Sequence, residues 1–146
     1  MNNLIFLWST LGFQAGFINA FGFLACGRYV SHVTGFGTQI GVALGDRNAA
    51  LAIELLGFPL SFILGSFTSA FFTSARLERH QTPWYGLSTA FLPIVLACLG
   101  FMGSKGYFGS FGEPLLLAHD FFLLFLLSFV CGMQNGCFAT LTKGQI

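Results

Sequence analysis

Residues 48–75 read NAALAIELLGFPLSFILGSFTSAFFTSA, and Glu54 is the one charged side chain among them. Apolar residues fall on every face of the helix that such a run would form. A helix crossing the hydrocarbon core of a bilayer needs roughly 20 predominantly apolar residues, so the stretch reads as a membrane span rather than an amphipathic surface helix. Three further runs have the same character: 4–27, 84–103 and 115–141. Arg28, Asp46, Arg47, Arg76, Glu78, Arg79, Lys105, Glu113 and Lys143 lie between or beyond these runs, leaving Glu54 and Asp120 as the charges inside them. Barrel strands would alternate apolar and polar residues over shorter stretches. Pro59 and Pro93 fall inside spans, where neighbouring helices satisfy the freed carbonyls. Pro83 and Pro114 stand just before spans, where proline favours a helix start.

Composition agrees. Of 146 residues, 55% are hydrophobic and 8% charged, and the mean hydropathy is +0.77. A soluble domain carries about 25% charged residues, so a water-facing surface is excluded, and 20 Phe exclude a disordered chain. A net charge of +1 provides no footprint for nucleic acid. The expected fold class is all-α: a polytopic transmembrane bundle of four to five spans in a single membrane domain, 1–146.

The number of spans turns on residues 29–45, a short, Gly-rich stretch with Ser31-His32-Val33-Thr34-Gly35 near its start. It reads as a short span, a re-entrant segment or a half-helix with an irregular start, and a broken or short helix is the favoured form. Irregular backbone at membrane depth requires cover from protein or a watery cavity. If 29–45 crosses, Arg28, Arg76, Arg79 and Lys143 share one side against Arg47 and Lys105, which places the N-terminus outside. If it does not cross, the basic residues divide equally. Met1-Asn2-Asn3 lacks the positive start of a secretory signal, and Leu24-Ala25-Cys26-Gly27 only faintly matches a lipoprotein cleavage site, so the first run is expected to be a retained helix.

Helices in lipid associate by close packing and interhelical hydrogen bonds. Four stripes of small residues at every fourth position suit this: Gly12, Gly16, Ala20; Gly37, Gly41, Gly45; Gly57, Ser61, Gly65, Ser69, Thr73; and Ser128, Gly132, Gly136, Thr140. Ordinary bundle packing is the simpler use for them, and a dimer face or sliding surface the sharper one. Laying the first run over the last aligns Phe13, Gly16 and Asn19 with Phe129, Gly132 and Asn135 in a shared frame, Phe-x-x-Gly-x-x-Asn-small. An amide in lipid is costly unless paired, so its recurrence suggests one unit used twice: a first repeat over about 4–103 and the start of a second over about 115–146. With three spans between the repeat starts the copies are inverted; with four they are parallel.

The combination Ala15-Gly16-Phe17-Ile18-Asn19-Ala20-Phe21-Gly22-Phe23-Leu24, then Ser31-His32-Val33-Thr34-Gly35, then Cys131-Gly132-Met133-Gln134-Asn135-Gly136 resembles the YoaK-like family of bacterial inner-membrane proteins. The resemblance covers nearly the whole chain. It implies a multi-pass, permease-like protein of the inner (cytoplasmic) membrane, with no assigned substrate. Members carry Asn after the His-x-Thr-Gly motif where this chain has Phe36, and they continue past the position of Ile146 with another Thr-Gly stretch and more spans. On this resemblance the chain is expected to be a truncated member.

Gln14 and Asn19 in the first run, with Gln134 and Asn135 in the last, either bond across helices or line a substrate path. His32, Thr34 and Thr38 form either a polar, partly unwound element facing a ligand or proton, or an interfacial loop. Glu54 suits coupling or proton handling, or faces headgroups near its span's end. Asp120 reads as interfacial beside His119. The expected polar path is Gln14, Asn19, His32, Thr34, Glu54, Gln134 and Asn135; the expected packing glycines are Gly12, Gly16, Gly37, Gly41, Gly57, Gly65, Gly132 and Gly136. Cys26, Cys98, Cys131 and Cys137 lack Cys-x-x-Cys spacing and read as inert packing thiols. His32, His80 and His119 lack ligand spacing, so neither metal nor cofactor is expected. Arg76, Glu78, Arg79 and His80 form an anchoring loop, and Trp84, Tyr85 and Tyr107 suit an interfacial belt. No phosphate loop, Gly-x-Ser-x-Gly or His-Glu-x-x-His occurs, and no enzymatic activity is expected. The sequence thus points to a small-molecule permease, or part of one, and alternatively to a non-transporting membrane component that binds partner helices. The expected partners are the lipid bilayer, a small-molecule substrate of unstated class and a second copy of the chain.

Overall fold

Five helices carry the chain in the computed structural model, which describes residues 2–110, 112 and 118–141. They are α1 (Asn2–Cys26), α2 (Val33–Gly45), α3 (Ala49–Glu78), α4 (Tyr85–Ser104) and α5 (Ala118–Leu141). The described residues contain no strand, so the all-α class holds. Each long apolar run is a helix, and 29–45 resolves into a loop followed by the short α2. The α3 helix runs past the apolar stretch to Glu78. Asn48 sets its start: the side chain accepts the Leu51 N–H at 3.1 Å, satisfying one of the first-turn donors that a helix leaves open. Pro59 and Pro93 sit inside α3 and α4. Glu113, Pro114, Lys143 and the side chains of Cys26, His119 and Asp120 lie outside the described part. Two helices among the described residues, Ala49–Glu78 and Phe121–Thr140, are long and apolar enough to cross a membrane.

The centre of the molecule is the crossing of α3 and α5. Gly65, Gly132 and Gly136 stand so close to the opposite helix that an added Cβ would strike the main-chain carbonyls of Phe129, Phe62 and Ser66 respectively. Hydroxyls on both stripes use this proximity. Ser66 Oγ donates to the Gly132 carbonyl at 2.9 Å and Ser128 Oγ to the Phe58 carbonyl at 3.0 Å. Farther along, Thr73 Oγ1 donates to Thr140 Oγ1 at 3.2 Å, and Ser74 and Thr140 share a hydrogen bond at 2.8 Å. Partner positions rise together along both chains, from Phe58 with Ser128 to Thr73 with Thr140, so α3 and α5 are parallel.

The remaining helices are placed by this pair. Phe58, fully buried, stacks on Phe36 of α2 at 4.6 Å and meets the tilted ring of Phe125 of α5 at 4.7 Å. The turn Asp46–Arg47–Asn48 brings α2 and α3 together antiparallel, with Asn48 N–H bonded to the Ala43 carbonyl at 2.8 Å. At the other end of α3, the Arg76 guanidinium lies 4.2 Å over the Trp84 ring and donates to the Thr82 carbonyl at 3.0 Å, so α4 returns antiparallel to α3. The Gly112 N–H then bonds to the Ala25 carbonyl at 3.0 Å. One end of the bundle, here the near end, therefore gathers the C-terminus of α1, the α2–α3 turn, the C-terminus of α4 and the start of α5.

Gly132→Ala pushes a methyl group into a backbone carbonyl and is expected to cost about 1–3 kcal/mol or more, as overpacking does. Gly41→Ala opens on empty space and should be neutral or stabilising by about 0.5–1 kcal/mol. Thermal unfolding followed by circular dichroism compares the two; equal stability of both variants would contradict the carbonyl-to-glycine contact.

Candidate functional site

The most distinctive local structure is the loop between α1 and α2. Asn19 lies two helical turns before the end of α1, which at 1.5 Å per residue is about 10 Å from the near end. Its Oδ1 accepts the main-chain N–H of Val30 at 2.8 Å and of Ser31 at 3.0 Å. The chain therefore leaves α1 at the near end, turns back alongside it through Gly27 (φ +69°), and re-enters the bundle before α2 begins. Val30 is buried and occupies the space that a side chain at Gly22 would need. Tyr29 stacks on Phe23 at 4.5 Å and meets the His32 ring edge-on at 6.0 Å, while Arg28 donates to Gln39 Oε1 across the loop. From there α2 runs back to the α2–α3 turn. Phe36 and its stacking partner Phe58 are each about 14 Å from that turn, counted along their own helices, as antiparallel packing of α2 on α3 requires.

His32 precedes α2 without capping it, and its ring packs against Gly35. His32 and Thr34 are exposed beside this buried turn, and Glu54 is exposed on α3. Gln14 and Gln134 are half-buried. Asn135 is exposed and makes no side-chain hydrogen bond among the described residues. The Gly112–Ala25 bond places the end of α1 beside the loop that follows α4, at the end where α3 and α5 begin, so α1 and α5 run antiparallel, leaving Asn19 toward the near end and Asn135 toward the far end. The polar residues singled out in the sequence are thus not gathered in one chamber. None of them lines the apolar cavity of about 420 Å³ between α1, α4 and α5, walled by Phe17, Phe21, Leu96, Leu99, Leu123 and Leu127.

The eight glycines singled out for packing divide in two. Gly57, Gly65, Gly132 and Gly136 face neighbouring groups across the α3–α5 crossing, with Gly57 against the Phe125 ring. Gly12, Gly16, Gly37 and Gly41 face open space. Cys98 is an exposed free thiol, and Cys131 and Cys137 are buried free thiols. Among the described residues no group of three or more His, Cys, Asp or Glu comes together as a metal-binding set. Sequence reasoning missed Gly22 and the apolar cavity. The signal for Gly22 was its position three residues after Asn19, one helical turn along the same face.

Residues 7–146 match the family model described as a protein of unknown function, DUF1275. The chain belongs to the DUF1275 family. No curated protein and no solved structure matches it. In this DUF1275 chain the Asn19 side chain satisfies two main-chain donors of a loop away from a regular helix. Asn19→Ala leaves the N–H of buried Val30 and of half-buried Ser31 without this partner, at about 1–3 kcal/mol for a buried unsatisfied group. Asn135→Ala removes no hydrogen bond seen here and should change stability by less than about 0.5 kcal/mol. Amide hydrogen exchange at Val30 and Ser31 reads the difference: faster exchange in Asn19→Ala alone is expected, and protection unchanged in both variants would remove the assigned role.

Proposed function

We propose that this DUF1275 protein is a multi-pass membrane module of permease type in which α1, α3, α4 and α5 cross the bilayer and residues 27–45 enter and leave by the same face. The observation that carries this reading is the return of the chain to the level of Asn19. Gly27, the α2–α3 turn and the C-terminus of α4 all belong to the near end, so α2 fills only part of the membrane thickness. Short helices with irregular approaches are tolerated at that depth where protein covers them, and Asn19, Gly22 and Phe58 provide the cover. Such discontinuous elements form substrate sites in transporters assembled from repeats. The opposed directions of α1 and α5, which carry the shared Phe-x-x-Gly-x-x-Asn frame, support an inverted relation between the two repeat starts.

On this reading His32 and Thr34, exposed beside the start of α2, are the groups that a permeating polar molecule meets first, with Glu54 on the adjoining helix as the acid available for coupling. The bacterial inner membrane is the location that the sequence resemblance implies. A second reading, a component that binds partner helices, draws its support from the open Gly12–Gly16 and Gly37–Gly41 faces and from the exposed Asn135 amide.

The topology is tested by single cysteines at Arg28, Arg47, Lys105 and Arg79 in a background without native Cys, labelled with a membrane-impermeant maleimide in oriented vesicles. Positions 28, 47 and 105 should label from one side and 79 from the other; labelling of 28 and 47 from opposite sides contradicts the re-entrant reading. For transport, pyranine-loaded proteoliposomes report proton movement under an imposed pH gradient. Flux that Glu54→Gln reduces at least several-fold supports the permease reading, and flux equal to that of protein-free vesicles favours the partner-binding one.

A further inference from the structure

We infer that the apolar cavity between α1, α4 and α5 is a binding site for a single lipid acyl chain, entered from the bilayer leaflet at the near end. This inference rests on the membrane reading above. The walls are Phe17, Phe21 and Ala25 of α1, Leu96, Leu99, Gly100 and Gly103 of α4, and Leu123 and Leu127 of α5. Phe108, Gly109 and Ser110, in the loop that follows α4, line the near end of the cavity.

Three features select an acyl chain over other occupants. The first is chemistry: the described lining is hydrocarbon, aromatic ring and glycine throughout, with Ser110 as the exception, so a polar solute would lose its hydration without finding partners. The second is length. From Ala25 to Phe17 along α1 is about 12 Å, close to the roughly 15 Å of one leaflet's hydrocarbon. The third is polarity along that length. Ser110 lies at the near end, where Lys105 and Tyr107 are exposed and the loop glycines Gly106 and Gly109 have positive φ. The opposite limit of the cavity, at Phe17, Leu96 and Leu127, is apolar and near mid-depth. A molecule with an apolar tail and a polar head at the membrane surface fits this gradient. A transmembrane helix from a second copy does not: it would be apolar past mid-depth and too wide for a space of about 420 Å³.

Gly100 provides the test. A Cβ there meets nothing within 4 Å, so Gly100→Leu projects into free space, and replacing a mid-helix glycine favours the helix. Loss of binding in this variant is therefore separable from loss of fold. Gly41→Leu, on α2 and equally unobstructed, is the control. The full chain is delipidated in detergent, titrated with palmitoyl-oleoyl phosphatidylglycerol, and examined by native mass spectrometry. One lipid retained per chain in the unmodified protein and in Gly41→Leu, with at least tenfold weaker retention in Gly100→Leu, is the expected result. No retained lipid in the unmodified protein, equal retention in Gly100→Leu, or a protein dimer that Gly100→Leu dissociates would each overturn the acyl-chain site. Fractionation decides between this inference and its premise: recovery in the detergent-free aqueous phase removes the membrane reading, whereas a membrane-embedded protein without retained lipid removes only the cavity assignment.

Discussion

Everything else in this structure depends on two helices approaching until the carbonyls of one lie against the glycines of the other. At Gly65, Gly132 and Gly136 there is no room for even a methyl group, and Ser66 and Ser128 convert the approach into hydrogen bonds with opposing main-chain oxygens. In an apolar environment no hydrophobic drive pushes helices together, so van der Waals contact and such bonds carry the association. Because α3 and α5 are parallel, their connection has to travel the length of the bundle, and α4 makes that journey. The connection from α1 to α3 has the complementary problem, since α1 ends at the end where α3 begins. Residues 27–45 solve it by descending and returning within one end of the molecule.

Much of this was legible in the sequence, for identifiable reasons. The apolar runs are helices because each is long, apolar on every face and almost free of charge, and Pro59 and Pro93 are absorbed within them. The stripes Gly57–Thr73 and Ser128–Thr140 form the central contact because small residues every fourth position leave a flat face. Helical periodicity carries no direction, however, so the parallel sense of α3 and α5 was invisible, and with it the path of 29–45, for which crossing and re-entrant forms remained open. The same limit applies to the recurring Asn. Asn19 and Asn135 share a sequence frame, yet Asn19 is committed to Val30 and Ser31 while Asn135 is exposed. The difference lies in the chain that folds back on Asn19, a contact between residues too far apart for local pattern to record. The apolar cavity was unreadable for a related reason: its walls come from three helices, and each contributes residues indistinguishable from ordinary packing.

Membership of DUF1275 joins this architecture to a family without an assigned activity, so functional inference rests on the arrangement itself. The polar residues are distributed rather than pooled. Asn19 holds the loop, which leaves His32 and Thr34 at the start of α2 and Glu54 on α3 as exposed polar groups near the α1–α2 loop. The four open glycines, Gly12, Gly16, Gly37 and Gly41, contrast with the four engaged at the α3–α5 crossing. The molecule thus has a tightly determined central pair, while α1 and α2 each carry glycines that face open space.

The parallel α3–α5 pair is the claim on which the path of the chain, the return of residues 27–45 and the opposed directions of α1 and α5 all depend, and disulfide trapping tests it most directly. In a background without native Cys, the Thr73→Cys/Thr140→Cys pair should cross-link rapidly under mild oxidation, because the two hydroxyl oxygens lie 3.2 Å apart. The Thr73→Cys/Phe121→Cys pair, placed at opposite ends, should not. Cross-linking of the second pair in preference to the first would show the helices to be antiparallel and would contradict the account.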